Sequence, residues 1–435
     1  MRNAGSGSGK EFRMSIIHPF KAIRPHPPHA AEVSCPPYDV ISTAEAGELA
    51  EGRPNSYLRV IRPEIDFAEG VDPYAAEVYE RGRANLERLI DADVLVEEEE
   101  PGLFVYRLVR NGHRQLGLVC TVDASEYENG TIRRHEKTRP EKEDDRTRHL
   151  DVSSVHAEPV FLAFRDEAPN ADEIKSAIVA ATTDRPLMHF VSDDVTHTLW
   201  RVRNVADFGA MFADVPELYI ADGHHRSAAG GRIAAERAAR NPDHRGDEEY
   251  NRILAVVFSE SELQILPYNR VVRDLDGMSE TDFLERLGTL GTLEAVAEGT
   301  TPEPADPGSV CIRIGSGWHR LTFDESTIDR ADPIACLDVA LLQDRVLGPL
   351  LSIGDPRIDE RIGFVGGSRG TAELERLVDA GEWAVAFSMH PTSMTELLRV
   401  ADAGEIMPPK STWFEPKLRS GLFAHRFETN REPVQ

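Results

Sequence analysis

The run Leu218-Tyr-Ile-Ala-Asp222-Gly223-His224-His225-Arg226-Ser227 constrains this chain more than any other. Leu218–Ala221 reads as a strand, Asp222-Gly223 as a turn, and the Ala- and Gly-rich stretch Ser227–Arg240 as a helix opening directly from it. Such a step leaves backbone N–H groups without partners at the helix start, where the helix dipole favours an anion. His224, His225 and Arg226 add donors at the same point, and a guanidinium suits the paired oxygens of phosphate. Gly223 lets a ligand approach the backbone closely. The plainer alternative is that Asp222 caps the helix and the histidines lie on the surface. A zinc site is disfavoured, because the adjacent histidines lack the i, i+4 spacing of a helical metal pair and no Cys is near in sequence.

Around this step the chain alternates short strands and helices without a regular βαβ rhythm. Between His18 and Pro63 eight prolines exclude a long helix except over Ala44–Glu51. A helix follows over Pro73–Ala92, and then a hairpin in which Phe104–Val109 and Gln115–Val122 flank Asn111-Gly112. Strands at Pro159–Phe164, His197–Val202 and Ile253–Phe258, with a helix at Ala171–Ala181, complete a first part. Further on, Val310–Phe323 reads as a second hairpin and Leu337–Leu351 as a helix. The fold class is therefore α+β, with hairpin order as frequent as βα order. At roughly 150 residues per domain, 435 residues allow two or three. The expected division is a tail or expression remnant over 1–15, a core over 16–270, an inserted α+β lobe over 271–350, and a segment over 351–435 that returns to the core.

Two further segments concentrate polar chemistry. Arg133-Arg134-His135-Glu136-Lys137-Thr138-Arg139 places a carboxylate among cations that lower its pKa, which suits a metal ligand or a positioned base. Its bland alternative is a charged surface loop. Met407-Pro-Pro-Lys410-Ser411-Thr412-Trp413-Phe414 combines a proline-fixed backbone with Lys, Ser and Thr as phosphate donors, or simply packs its aromatics in a core strand. Two decoys fail. Ala4-Gly-Ser-Gly-Ser-Gly9-Lys10-Glu11 lacks the first Gly, the Ser or Thr and the preceding strand of a Walker A loop, and Gly363-Phe-Val-Gly366-Gly367 lacks dinucleotide-loop spacing.

Net charge sharpens this picture. The formal charge is −26, which opposes a nucleic-acid or anionic-membrane surface. Residues 131–150, 219–240 and 407–426 nevertheless carry +7 together, against −33 for the remainder. Only seven residues are Lys, and Lys137, Lys142, Lys410 and Lys417 fall in these three segments. The acidic bulk fits adaptation to high salt or a coding bias towards Arg. Cys35, Cys120, Cys311 and Cys336 are too widely spaced for a disulfide framework or a zinc knuckle, which suggests a reducing cytoplasm. No apolar run is long enough to span a membrane or to serve as a signal peptide.

Taken in order, FKAIRP, PPYDVI, RHEKT, ADGHHR, MPPKSTWF and the following PKL resemble the DUF1015 family, which is related to SerK-type free serine kinases. The resemblance spans about His18 to Leu422. It implies a ParB/sulfiredoxin-like nucleotide-binding core with large insertions, using ATP or ADP with Mg²⁺ to phosphorylate free L-serine or a related hydroxy acid. It places Asp222, Gly223, His224, His225 and Arg226 on the phosphate-binding loop; Ser227 beside it and Lys410, Ser411 and Thr412 are further candidate phosphate-binding residues. Glu136 falls on the catalytic carboxylate, with His135 beside it; Asp222, as an oxygen ligand, is also the candidate to act in catalysis by holding Mg²⁺. The alternative is a ParB-like regulator that binds a nucleotide without acting as a kinase. Small molecules, rather than nucleic acid or membrane, are the expected partners.

Overall fold

The computed structural model describes residues 15–428 apart from residue 298. The expected N-terminal tail, Ser15 apart, and the Walker-like decoy lie outside the described residues. Two compact units form, one from the described parts of Met1–Glu262 and Pro416–Gln435, the other from Leu263–Glu415.

In the first unit the main mixed sheet uses β1 (Ile17–His18), β2 (Phe104–Arg110), β3 (His113–Asp123), β4 (Ile132–Arg133), β5 (Val160–Phe164), β6 (Met188–Ser192), β7 (Val195–Arg201), β8 (Leu218–Asp222) and β9 (Arg252–Ser259). Their order is β4-β8-β5-β9-β3-β2-β7-β6, with β1 added beside β3. β2 and β3 are the expected hairpin, and Asn111 and Gly112 both take the positive φ that a tight hairpin turn requires. β9 is buried at every position after Arg252, as a strand covered on both faces should be.

Two local features build the corner of interest. β4 runs parallel to β8, pairing Ile132 with Leu218 and Arg133 with Tyr219, so the RHEKT and ADGHHR segments leave the sheet at the same end. β8 also slips its register against β5 between Ile220 and Asp222, an irregularity that re-aims the end of the strand. Of the helices, α1 (Ala76–Asp91) packs on α2 (Pro140–Ser153), and α2 packs on α3 (His224–Arg240). Pro140 at the first turn of α2 loses no helical hydrogen bond. A smaller sheet joins Ala22–Pro25 to Leu95–Glu97, and through Ala424–Arg426 to Val155–His156, so the end of the chain is sewn back into this unit.

The second unit holds a six-stranded antiparallel sheet in the order Gly291–Ala295, Gly317–Phe323, Ser309–Ile314, Val385–Met389, Tyr268–Val272, Ile362–Gly366. The expected hairpin over 310–323 supplies its second and third strands. The expected boundaries at 270 and 351 are corrected here. Ile362–Gly366 and Val385–Met389 both pair with Tyr268–Val272, so residues 351–415 complete the second unit's sheet, and the return to the core begins only at Pro416.

Candidate active site

Asp222 ends β8, and Gly223 turns the chain with φ 93° and ψ 34° into the 17 residues of α3. No side chain caps this helix, so the capping role open to Asp222 is not the one it plays. Its Oδ2 instead accepts from Arg226 Nη2 at 3.3 Å and from Lys417 Nζ at 3.4 Å. Burial opposes the charged carboxylate, but Lys417 and then Arg226 outweigh it and hold Asp222 below the usual carboxylate range. Lys417 is raised in turn, with Asp222 and Asp39 overcoming its burial.

Arg226 is the hub of the cluster. It is 8% exposed, donates from Nη1 to the Pro159 carbonyl, and lies 3.9 Å from Asp39 Oδ2. Glu158, buried nearby, accepts from the Tyr38 backbone N–H at 3.2 Å and from Ser420 Oγ at 2.6 Å. Burial raises the pKa of Glu158 against the pull of Arg226 and Arg146. Three distant parts of the chain, around residues 38, 158 and 420, are thereby fixed around one guanidinium.

The histidines form a second layer. His135 and His224 lie edge to face with ring centroids 4.4 Å apart, and His224 Nε2 accepts from the His135 N–H at 3.5 Å. Burial drives both pKa values down to about 3, His224 adding to the effect on His135. Both rings are therefore neutral near pH 7, and among the described residues neither ring nitrogen of His135 has a hydrogen-bond partner. Glu136 stays 42% exposed, with Oε2 3.6 Å from His224 Nδ1. His225 accepts from the Arg139 N–H at 3.1 Å, and burial followed by Arg139 lowers its pKa.

Asp222, Gly223, His224, His225, Arg226, His135 and Glu136 are thus brought together. Ser227 is near, but its buried hydroxyl donates to the Gly223 carbonyl at 3.2 Å and serves the helix turn. Lys410, Ser411 and Thr412 belong to the second unit. There Lys410 lies 5.4 Å from the Tyr268 ring, Ser411 Oγ donates to Pro408 O at 2.6 Å, and Thr412 is half-buried. The cluster around Asp222 is built from first-unit residues alone. Sequence reasoning gave no role to Asp39 within PPYDVI or to Lys417 within PKL, although the scarcity of Lys did mark the latter. Among the described residues no group of three or more His, Cys, Asp or Glu is arranged to hold a metal ion. A metal here would take most of its ligands from phosphate and water, with Asp222 as a protein carboxylate.

The described molecule is thus a two-unit α+β protein with a cation-and-carboxylate cluster at a strand–turn–helix corner. The chain belongs to the family described as "Protein of unknown function (DUF1015)", whose model matches residues 17–340. No curated protein matches it. Solved structures similar to it include a free serine kinase in complex with AMP, at 13% identity and TM-score 0.33, covering 68% of this chain and 86% of that one. A conserved hypothetical protein from Pyrococcus furiosus is 14% identical with TM-score 0.31, covering 68% and 90%. SbnI with a C-terminal truncation from Staphylococcus aureus is 10% identical with TM-score 0.36, covering 73% and 90%. No described helix is long and apolar enough to cross a membrane, and all four cysteines are buried and unpaired.

Proposed function

We propose that this protein transfers a phosphoryl group from a nucleotide, ATP or ADP, to the hydroxyl of free L-serine or a related small hydroxy acid. The observation that carries this reading is the convergence of Lys417 and Arg226 with two carboxylates, Asp222 and Asp39, at the uncapped start of α3. Phosphoryl transfer asks mainly for positioning and charge neutralisation, which helix N–H groups, Arg226 and Lys417 supply. The motif resemblance names serine as the acceptor.

In this reading the acceptor oxygen bonds to the terminal phosphorus while the bond from that phosphorus to the bridging oxygen breaks. The electron pair leaves with the shortened nucleotide, and the acceptor's proton passes to Glu136, whose side chain is 42% exposed. His135 is a positioning residue, a neutral ring that holds His224. Mg²⁺, entering with the phosphates and held by Asp222, would neutralise charge on their oxygens.

The test incubates the full chain with L-serine, Mg²⁺ and either ATP or ADP, at low and at molar salt, and follows O-phosphoserine by ³¹P NMR. Product with one of the nucleotides is expected; none under any condition rejects the reading, and nucleotide binding without product favours the regulator. Glu136→Gln should lower turnover by about 100-fold or more with nucleotide affinity retained. Unchanged turnover would remove Glu136 from the chemistry.

A further inference from the structure

Between α1, α2 and the turn Pro63–Asp66 the first unit encloses a hollow of about 100 Å³. At about 10–15 Å³ per water-sized position it takes on the order of seven to ten non-hydrogen atoms, too few for a nucleotide and enough for a small hydroxy or amino acid. Its walls are charged and largely paired. Tyr79 donates to Asp145 Oδ1 at 2.9 Å, and Arg146 holds Oδ2 of the same carboxylate through Nε and Nη2 at 3.1 and 2.8 Å. Arg62 Nε lies 2.9 Å from Glu64 Oε1. His149 donates to the Val60 carbonyl at 3.0 Å, and burial lowers its pKa to about 4, so it adds no charge near pH 7.

Lys142 is the exception. Its ammonium donates to the Tyr74 phenol at 3.0 Å, and among the described residues no carboxylate lies within ion-pair distance of it. One cation is left over in an otherwise balanced polar hollow. Such a site attracts a small anion, while the tyrosine hydroxyls and Asp145 can receive the hydroxyl of a guest.

We propose that this hollow binds a small hydroxylated carboxylate, with the carboxylate on Lys142 and the hydroxyl among Tyr74, Tyr79 and Asp145. Arg146 also faces a second hollow of about 30 Å³, which Arg226 and Glu158 help to line, so the proposed site lies one shared side chain away from the Asp222 cluster. Binding stands on the hollow itself. The further role of the guest as phosphoryl acceptor rests on the transferase reading above, and in that role its hydroxyl must leave Tyr74, Tyr79 and Asp145 to reach Glu136.

Equilibrium dialysis of the full chain without nucleotide tests the binding, using L-serine and D-glycerate, which share the hydroxylated carboxylate and differ in the amine. Saturable binding of at least one is expected, weakened tenfold or more by Lys142→Met and several-fold by Tyr79→Phe, with both variants melting cooperatively. If neither compound binds, or if Lys142→Met binds as the parent does, the proposal is overturned. Lys142-dependent binding without phosphoserine formation rejects the transferase reading and leaves the site standing. Phosphoserine formation with an unchanged serine KM in Lys142→Met rejects the site and leaves the transferase standing.

Discussion

Gly223 holds the corner at the scale of a single residue. Its φ of 93° costs about 1–2 kcal/mol for any L side chain, and an added Cβ would stand 3.0 Å from the Arg226 guanidinium. Arg226 cannot swing clear without releasing Pro159 and Asp222. Gly223→Ala is therefore expected to lower the unfolding free energy by about 2 kcal/mol in urea titration and to weaken nucleotide binding alongside. Wild-type stability in that variant would show that the turn is unconstrained. Asp222, Gly223 and Arg226 were legible because their interaction spans four residues of one helix start. Lys417 reaches Asp222 across 195 positions, and Asp39 meets Arg226 only after the proline-rich opening segment has folded, so neither contact follows from spacing.

Elements were legible where one local rule decides them. Asn111-Gly112 fixed a hairpin, the apolar run Ile253–Phe258 fixed a strand, and the helix expected over Ala171–Ala181 has the same limits in the structure. The helix expected over Leu337–Leu351 differs. It widens at Gln343–Leu347, where the Gly348 N–H reaches the Gln343 carbonyl and Pro349 has no N–H to offer Arg345. Tertiary packing also hides the reason for Gly230, whose added Cβ would lie 2.8 Å from Ile253 of β9. Gly230→Ala should therefore destabilise by about 1–2 kcal/mol, overpacking exceeding the gain in helix propensity. Gly209, in the helix Ala206–Phe212 with nothing within 4 Å, is the control, and Gly209→Ala should stabilise by about 0.5 kcal/mol. The two urea midpoints must move in opposite directions; a parallel shift would mean that α3 does not press on the sheet as described.

At the scale of the whole molecule, the two units carry opposite responses to acid. In the first unit burial holds His135, His156, His197 and His224 at pKa values of about 3 and His18 and His149 at about 4, against 6.5 for an exposed ring. A histidine whose pKa is depressed by folding contributes fully above 6.5, and that stability is lost as falling pH protonates the unfolded chain first. Each such ring removes about 1 kcal/mol between pH 6.5 and 5.5, and Glu126, raised to about 7 by burial, returns roughly what one of them removes. With six such rings, the first unit should lose about 5 kcal/mol over that unit of pH, comparable to the whole stability of a marginal domain. In the second unit burial raises Asp338 to about 7, outweighing the Gly308 N–H that favours its charged form, so the folded state takes up a proton first and is strengthened as pH falls. His319, lowered by burial, acts in the opposite sense. Hydrogen exchange corrected for intrinsic rates should therefore show peptides of β3, β5 and β9 losing protection by roughly 1,000-fold or more between pH 6.5 and 5.5, while Ser309–Ile314 and Val385–Met389 keep or gain theirs. Equal loss in both units would mean that the buried histidines do not govern the acid response of the first.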